Sequence, residues 1–211
     1  MPEIDFYCER TTSHWFDEPF GLLSNLLFIL AALHQLNRQG HWSAGAKFLV
    51  ALLFAIGLGS ALFHTFATHT TLLLDVIPIN LFIISAMWIL LRAHIGLGIP
   101  TTVLAITLVL GTSAVMPRDV LNGSAGYLPS FAALLAISTF HSPGRAGTFL
   151  WWATLLFPVS ITFRSVDNLL CQVVPIGTHF VWHAVNAVVL WCLIEAVRRN
   201  ADDSSASNAT K

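Results

Sequence analysis

An all-α integral membrane bundle of seven transmembrane helices, N-terminus exoplasmic and C-terminus cytoplasmic, is the fold class this sequence predicts. Three observations predict it. Of the residues, 55% are hydrophobic and 10% charged, with a mean hydropathy of +0.73, which leaves too little polar surface to face water all round. Apolar runs near the ~20 residues that cross ~30 Å of hydrocarbon recur along the chain. Lysine and arginine are unequally divided between the two ends of those runs.

Helices are expected at 20–37, 46–66, 71–92, 97–116, 126–141, 147–164 and 177–197. The fifth is the shortest and carries Pro129 near its start; the others are long or have polar flanks. Pro78, Pro100 and Pro158 are expected to kink their helices. Short connections and the lack of an internal repeat make residues 1–200 one bundle domain. The tail "RRNADDSSASNATK" is polar and low in complexity, so 201–211 is expected to be disordered. The extreme N-terminus, "MPEIDFYCER", lacks the basic region and apolar core of a cleavable signal and is expected to be retained.

With the N-terminus outside, Arg38, Lys47, Arg92, Arg145, Arg198, Arg199 and Lys211 are cytoplasmic, and only Arg10, Arg118 and Arg164 lie on the other side. The acidic segment holding Glu3, Asp5, Glu9, Asp17 and Glu18 is then exoplasmic. A net charge of −1 gives no electrostatic basis for nucleic-acid binding. Three cysteines without a C-x-x-C pair argue against a thiolate metal cluster.

This topology gathers polar residues at one depth. "GLGSALFH" places Ser60 and His64 one turn apart at the outer end of the second helix, "TLLLDVIP" places Asp75 just inside the third, and "GTHFVWH" places His179 and His183 on one face at the start of the seventh. Singly, His64 reads as an interfacial side chain and Ser60 as a small packing residue beside Gly57 and Gly59. Together, three imidazoles from two helices match a tetrahedral zinc site with one position open. Asp75, an ionisable group inside a span, is expected to face them. His34, His41, His94 and His141 fall near the cytoplasmic side, and His14 and His69 lack a helical partner outside. The seven tryptophans, Trp15, Trp42, Trp88, Trp151, Trp152, Trp182 and Trp191, read as belt or packing residues.

"YCER" followed by "EPFGLLSN", then "GLGSALFH", Asp75, "VDNLLC" and "HFVWH" resemble the ordered motifs of the alkaline ceramidases. That family lies within a superfamily of heptahelical membrane hydrolases that also includes the adiponectin and progestin receptors. The resemblance runs from Tyr7 to His183. It implies a zinc-dependent amidase cleaving ceramide-like N-acyl sphingoid bases, with His64, His179 and His183 on zinc and with Ser60 and Asp75 catalytic. It implies a calcium site using Glu9 and Glu18, although Phe6 stands where an aspartate is expected, Thr11 replaces an asparagine and the intervening loop is shorter. It also implies an exoplasmic disulfide, for which Cys8 and Cys171 share the required side, while Cys192 stays a packed thiol near the cytoplasmic end. Without the resemblance, Cys8 and Cys171 read as separate small apolar residues. Two rival classes remain: a heptahelical lipid receptor with a structural zinc, and an ion transporter. Against the transporter, the ionisable groups stop at one depth.

Overall fold

A computed structural model describes residues 4–12, 14–40, 42–140 and 144–209. His41, His141, Glu3 and Lys211 lie outside them. The described residues are all-helical: α1 (Pro19–Ser24), α2 (Leu26–Leu36), α3 (Ala44–Phe66), α4 (His69–Ile89) with a π-turn at Leu90–His94, α5 (Ile99–Val115), a 3-10 segment Val120–Tyr127 leading into α6 (Leu128–Phe140), α7 (Arg145–Ser165), the single turn α8 (Asp167–Leu170), and α9 (His179–Ala209). Taken as continuous stretches, six are long and apolar enough to cross a membrane: Pro19–Leu36, Ala44–Phe66, His69–His94, Val120–Phe140, Arg145–Ser165 and His179–Asn200. The seventh, α5, is apolar but only 17 residues long. The fifth expected helix is short, as its sequence suggests: α6 itself has 13 residues and reaches a spanning length only together with the 3-10 turns at Val120–Tyr127.

Local chemistry accounts for the boundaries. Ser43 caps α3, its hydroxyl accepting from the Ala46 N–H. At the other end Ala67 adopts a left-handed conformation (φ 47°) and returns its N–H to the Phe63 carbonyl at 2.8 Å. Thr68 then opens α4 with a reciprocal side-chain and backbone exchange with Thr71, so two residues turn the chain between antiparallel helices. Pro78 and Pro158 lie inside α4 and α7. Pro100 instead occupies the first turn of α5, where an N–H has no intrahelical partner to lose; the kink expected there is absent for that reason. In backbone, α9 continues through the polar residues as far as Ala209.

The centre of the bundle is α9, packed most extensively on α7 and also against α1, α2, α3 and α4. Phe28, Leu49, Leu53, Ile56, Phe82, Leu150 and Ile194 form a dry core around it. Leucines on the outer faces, among them Leu30, Leu74, Leu104 and Leu155, remain exposed, as befits helices whose solvent is hydrocarbon. The start of α1, the end of α3, the starts of α4 and α9 and the end of α7 gather at one end of the bundle.

The opposite end has its own polar centre. Glu195, fully buried on α9, accepts from Arg198 at 3.0 and 3.1 Å, Arg199 at 2.7 Å and Arg38 at 3.1 Å. The i,i+3 and i,i+4 spacing in "EAVRR" already carries two of these pairs. Arg38 ties α2 to the same carboxylate.

Candidate metal centre

His64, His179 and His183 converge, each buried, with one ligand-type nitrogen from each lying within 4.8 Å of the others. Ring centroids are 5.2 Å apart for His64 and His179, 4.9 Å for His64 and His183, and 4.5 Å for His179 and His183. Hydrogen bonding assigns the free nitrogens. His183 Nδ1 meets Ser24 Oγ at 2.6 Å; that hydroxyl already donates to the Gly21 carbonyl at 2.9 Å, so it accepts from Nδ1–H and leaves Nε2 bare. His64 Nδ1 meets Glu18 Oε2, an acceptor when ionised, so its proton also sits on Nδ1. His183 Nε2 and His179 Nδ1 are buried with no hydrogen-bond partner among the described residues.

Two more buried polar atoms share this condition: Ser60 Oγ and Asp75 Oδ1. They are neighbours across the α3–α4 contact, and Asp75 is within electrostatic reach of His64. Gly59 permits that approach, since a Cβ there would lie 2.0 Å from the Leu74 carbonyl oxygen. Buried polar atoms left without a hydrogen-bond partner are costly in an apolar bundle, and four lie in this part of it among the described residues. Three converging imidazoles, two of them with a buried nitrogen that has no partner, together with a carboxylate and a hydroxyl on α4 and α3, are the donor types of a zinc site with an open position, and the residues fit that group.

The second expected cation site does not fit. Both Glu9 oxygens accept backbone N–H groups at the start of α1, Phe20 at 2.5 Å and Gly21 at 2.7 Å. Burial nonetheless raises the Glu9 carboxyl from its ordinary value, against the pull of these two backbone donors. Glu18 is taken by His64 and by Arg10, whose Nε reaches Oε1. Asp17 accepts from the N–H groups of Thr11 and Thr12, both at 2.5 Å.

A lid of aromatic and disulfide-linked chain closes the centre. The Tyr7 ring stacks on His179 with centroids 3.6 Å apart, and Trp182 stacks on His179 from 5.0 Å. The Arg164 guanidinium lies 5.7–5.8 Å over the rings of Tyr7, Tyr127 and Trp182, and bonds the Asn122 carbonyl at 2.8 Å, Ser124 Oγ at 3.1 Å and Tyr7 Oη at 3.3 Å. Cys8 and Cys171 are disulfide-bonded, and Cys192 is a buried free thiol. Asp167 completes the clamp by accepting from the N–H groups of Cys8 at 3.0 Å, Thr178 at 2.5 Å and His179 at 2.9 Å. Gly177, at φ +66°, is required beside it: a Cβ would fall 2.3 Å from Asp167 Oδ1. Replacing both Cys8 and Cys171 by serine is expected to lower stability by about 2–4 kcal/mol, because the bond closes a loop of separation 163 in the unfolded chain. Thermal unfolding under non-reducing conditions measures this, and an unchanged midpoint refutes it.

Below the centre the bundle opens into an apolar cavity lined by Ile56, Ile79, Phe82, Tyr127, Asn186 and Leu190, among others. Ile56, Ile79 and Asn186 each lie one helical turn further in than Ser60, Asp75 and Trp182, so the cavity begins where the polar cluster ends.

The other described histidines stay away from the centre. His34 accepts from Trp191 Nε1 at 3.0 Å, and His94 Nε2 is 3.3 Å from the Ala196 carbonyl. His14 and His69 are exposed. Arg10, Glu18, Ser24, Tyr7 and Asp167 were not singled out by sequence as supports of the histidines. Only the position of Glu18, just before the first apolar helix and thus level with His64, offered a signal.

Compared with protein-family models and with curated proteins, the chain matches none.

Proposed function

We propose that this chain is a zinc-dependent intramembrane amidase that hydrolyses ceramide-like N-acyl sphingoid bases to fatty acid and sphingoid base. All seven segments cross the membrane in this reading, α5 with 17 residues at the short end of what spans, and the N-terminus is exoplasmic. The observation that carries the reading is the convergence of three buried imidazoles, two with a partnerless nitrogen, with Ser60 and Asp75 one helical turn above an apolar cavity.

The chemistry follows from that placement. Zinc, when bound, supplies Lewis acidity that polarises a carbonyl and makes water acidic enough to act as a nucleophile near neutral pH. Asp75 Oδ1 accepts the proton released as water attacks the amide carbon, and returns it to the departing nitrogen so that the amine leaves neutral. Ser60 Oγ–H donates to the carbonyl oxygen as negative charge grows there. The cavity below Ser60 and Asp75 excludes water and holds the acyl chain. Tyr7, Trp182 and Arg164 form the roof against which the head group packs. A lipid amide suits this depth, because its carbonyl lies between an apolar tail and a polar head.

Purified protein incubated with a panel of N-acyl sphingoid bases and phosphoglycerides is expected to release fatty acid and sphingoid base from the former, as read by mass spectrometry. Fatty acid from ester lipids alone would overturn the amidase assignment. Inactivity across the panel with zinc bound would favour a lipid receptor.

A further inference from the structure

Glu18 belongs to none of the helices that carry the histidines, yet it is 3% exposed and joined on both sides. Its Oε2 contacts His64 Nδ1, and its Oε1 accepts from Arg10 Nε. Arg10, 6% exposed, reaches further: its terminal nitrogen donates at 3.0 Å to the carbonyl of His64 itself. That carbonyl lies in the last turn of α3, where backbone oxygens have no partner within the helix. One guanidinium therefore holds the backbone of a histidine and the carboxylate bound to its ring.

We infer that Arg10 is the resident cation of the N-terminal acidic segment, and that Arg10 and Glu18 together are positioning residues that fix His64 as a metal ligand. The inference rests on the metal centre of the proposed function and extends it to residues outside that centre. Two physical requirements meet here. A ligating imidazole needs its second nitrogen held, commonly by a carboxylate, so that the tautomer and ring direction are set before the metal arrives. A carboxylate placed there is buried, and a buried charge needs a partner. A divalent ion coordinated by neighbouring carboxylates would satisfy it; in this chain the guanidinium does so, with Glu9 and Asp17 committed to backbone donors instead. The anchor is firm because Cys8, two residues before Arg10, is bonded to Cys171. The structure thereby trades an exchangeable ion for a covalently tethered one, and the centre becomes indifferent to calcium.

The test uses the purified full chain, with zinc affinity measured by chelator competition and the ligand field read from the visible spectrum of the cobalt-substituted protein. Glu18→Gln, which keeps the shape and removes the charge, is expected to weaken zinc binding ~10–100-fold and to alter the cobalt spectrum. Arg10→Met is expected to weaken it as well, with Arg10→Lys recovering part of the loss. Because Arg10→Met leaves a buried carboxylate and is the variant most prone to misfolding, Glu18→Gln and Arg10→Lys carry the test without it. The wild-type melting temperature is expected not to respond to added calcium or to a calcium chelator. The inference is overturned if Glu18→Gln binds zinc as tightly as the wild type with an unchanged cobalt spectrum, or if calcium raises the wild-type melting temperature. Fatty-acid release separates the two readings. Weakened zinc binding in Glu18→Gln, with no lipid hydrolysed by the wild type, upholds the positioning pair and removes the amidase. Unaltered zinc binding in Glu18→Gln, with hydrolysis intact, does the reverse.

Discussion

Replacing His183 by alanine is expected to abolish both metal and turnover. Its ring is fully buried, fixed through Nδ1 to the Ser24 hydroxyl, and presents Nε2 to His64 and His179 without any other partner. Alanine leaves two imidazoles, from different helices and with no third histidine beside them among the described residues. Since losing a partner of a ligand commonly costs 10–100-fold in metal affinity, losing the ligand itself is expected to cost at least ~10²-fold, enough to empty the site through purification. The vacated space is bordered by Phe28 and Trp182, which touch the ring edge-on and tilted and support the helices without it. Far-ultraviolet circular dichroism should therefore retain the helical signal while elemental analysis loses the zinc. Full zinc occupancy in His183→Ala would mean that the triad is not the ligand set.

The reason this residue was legible in sequence is spacing. His179 and His183 are i,i+4 at the start of a long apolar run, so they share a face and a depth whatever packs against them. His64 follows from the same reasoning at the end of α3, and the apolar runs themselves mark the helix bounds to within a few residues: 46–66 against Ala44–Phe66, 177–197 against a start at His179. Where the pattern fails, the backbone does something that hydrophobicity does not encode. Leu121, Asn122 and Gly123 all take positive φ before α6, and no periodicity announces it. Likewise α1 and α2 form one apolar stretch in sequence, but the buried Asn25, whose side chain donates to the Gly21 carbonyl, divides them.

The supports of the centre were hidden for a different reason. Glu18 meets His64 across 46 residues, Ser24 meets His183 across 159, and Asp167 meets Cys8 across 159. Each contact is set by how the helices pack, and each residue taken alone is an ordinary polar group near a helix end. Arg10 shows the same limit: the sequence places it on the exoplasmic side, and its partners appear only when α3 and the loop before α1 close around it. Chemistry carried by one helix can be read from its sequence, and chemistry assembled between helices needs the fold.

Asp75 is where that distinction bears on mechanism, and Asp75→Asn is expected to retain zinc while turnover falls by ~10²-fold or more. The carboxylate belongs to α4, opposite Ser60 and beyond the reach of a ligand-like position in the histidine group, so its loss removes no donor from the metal. Asparagine preserves the side chain's volume, and the close approach of α3 to α4 at Gly59 is made by the Leu74 and Asp75 backbone, so the helix contact stays in place. What it removes is an oxygen able to accept a proton from attacking water and to give it to the departing amine. Ser60→Ala separates the second role, since a hydroxyl that only donates to the developing oxyanion should also leave the metal in place while slowing turnover by an amount nearer a single lost hydrogen-bond donor, ~10²-fold. Steady-state hydrolysis of a ceramide-like amide, with zinc measured on the same samples, reads both variants. Near-normal turnover in Asp75→Asn would show that proton transfer at this centre passes through another group, and full loss of zinc in it would make Asp75 a ligand.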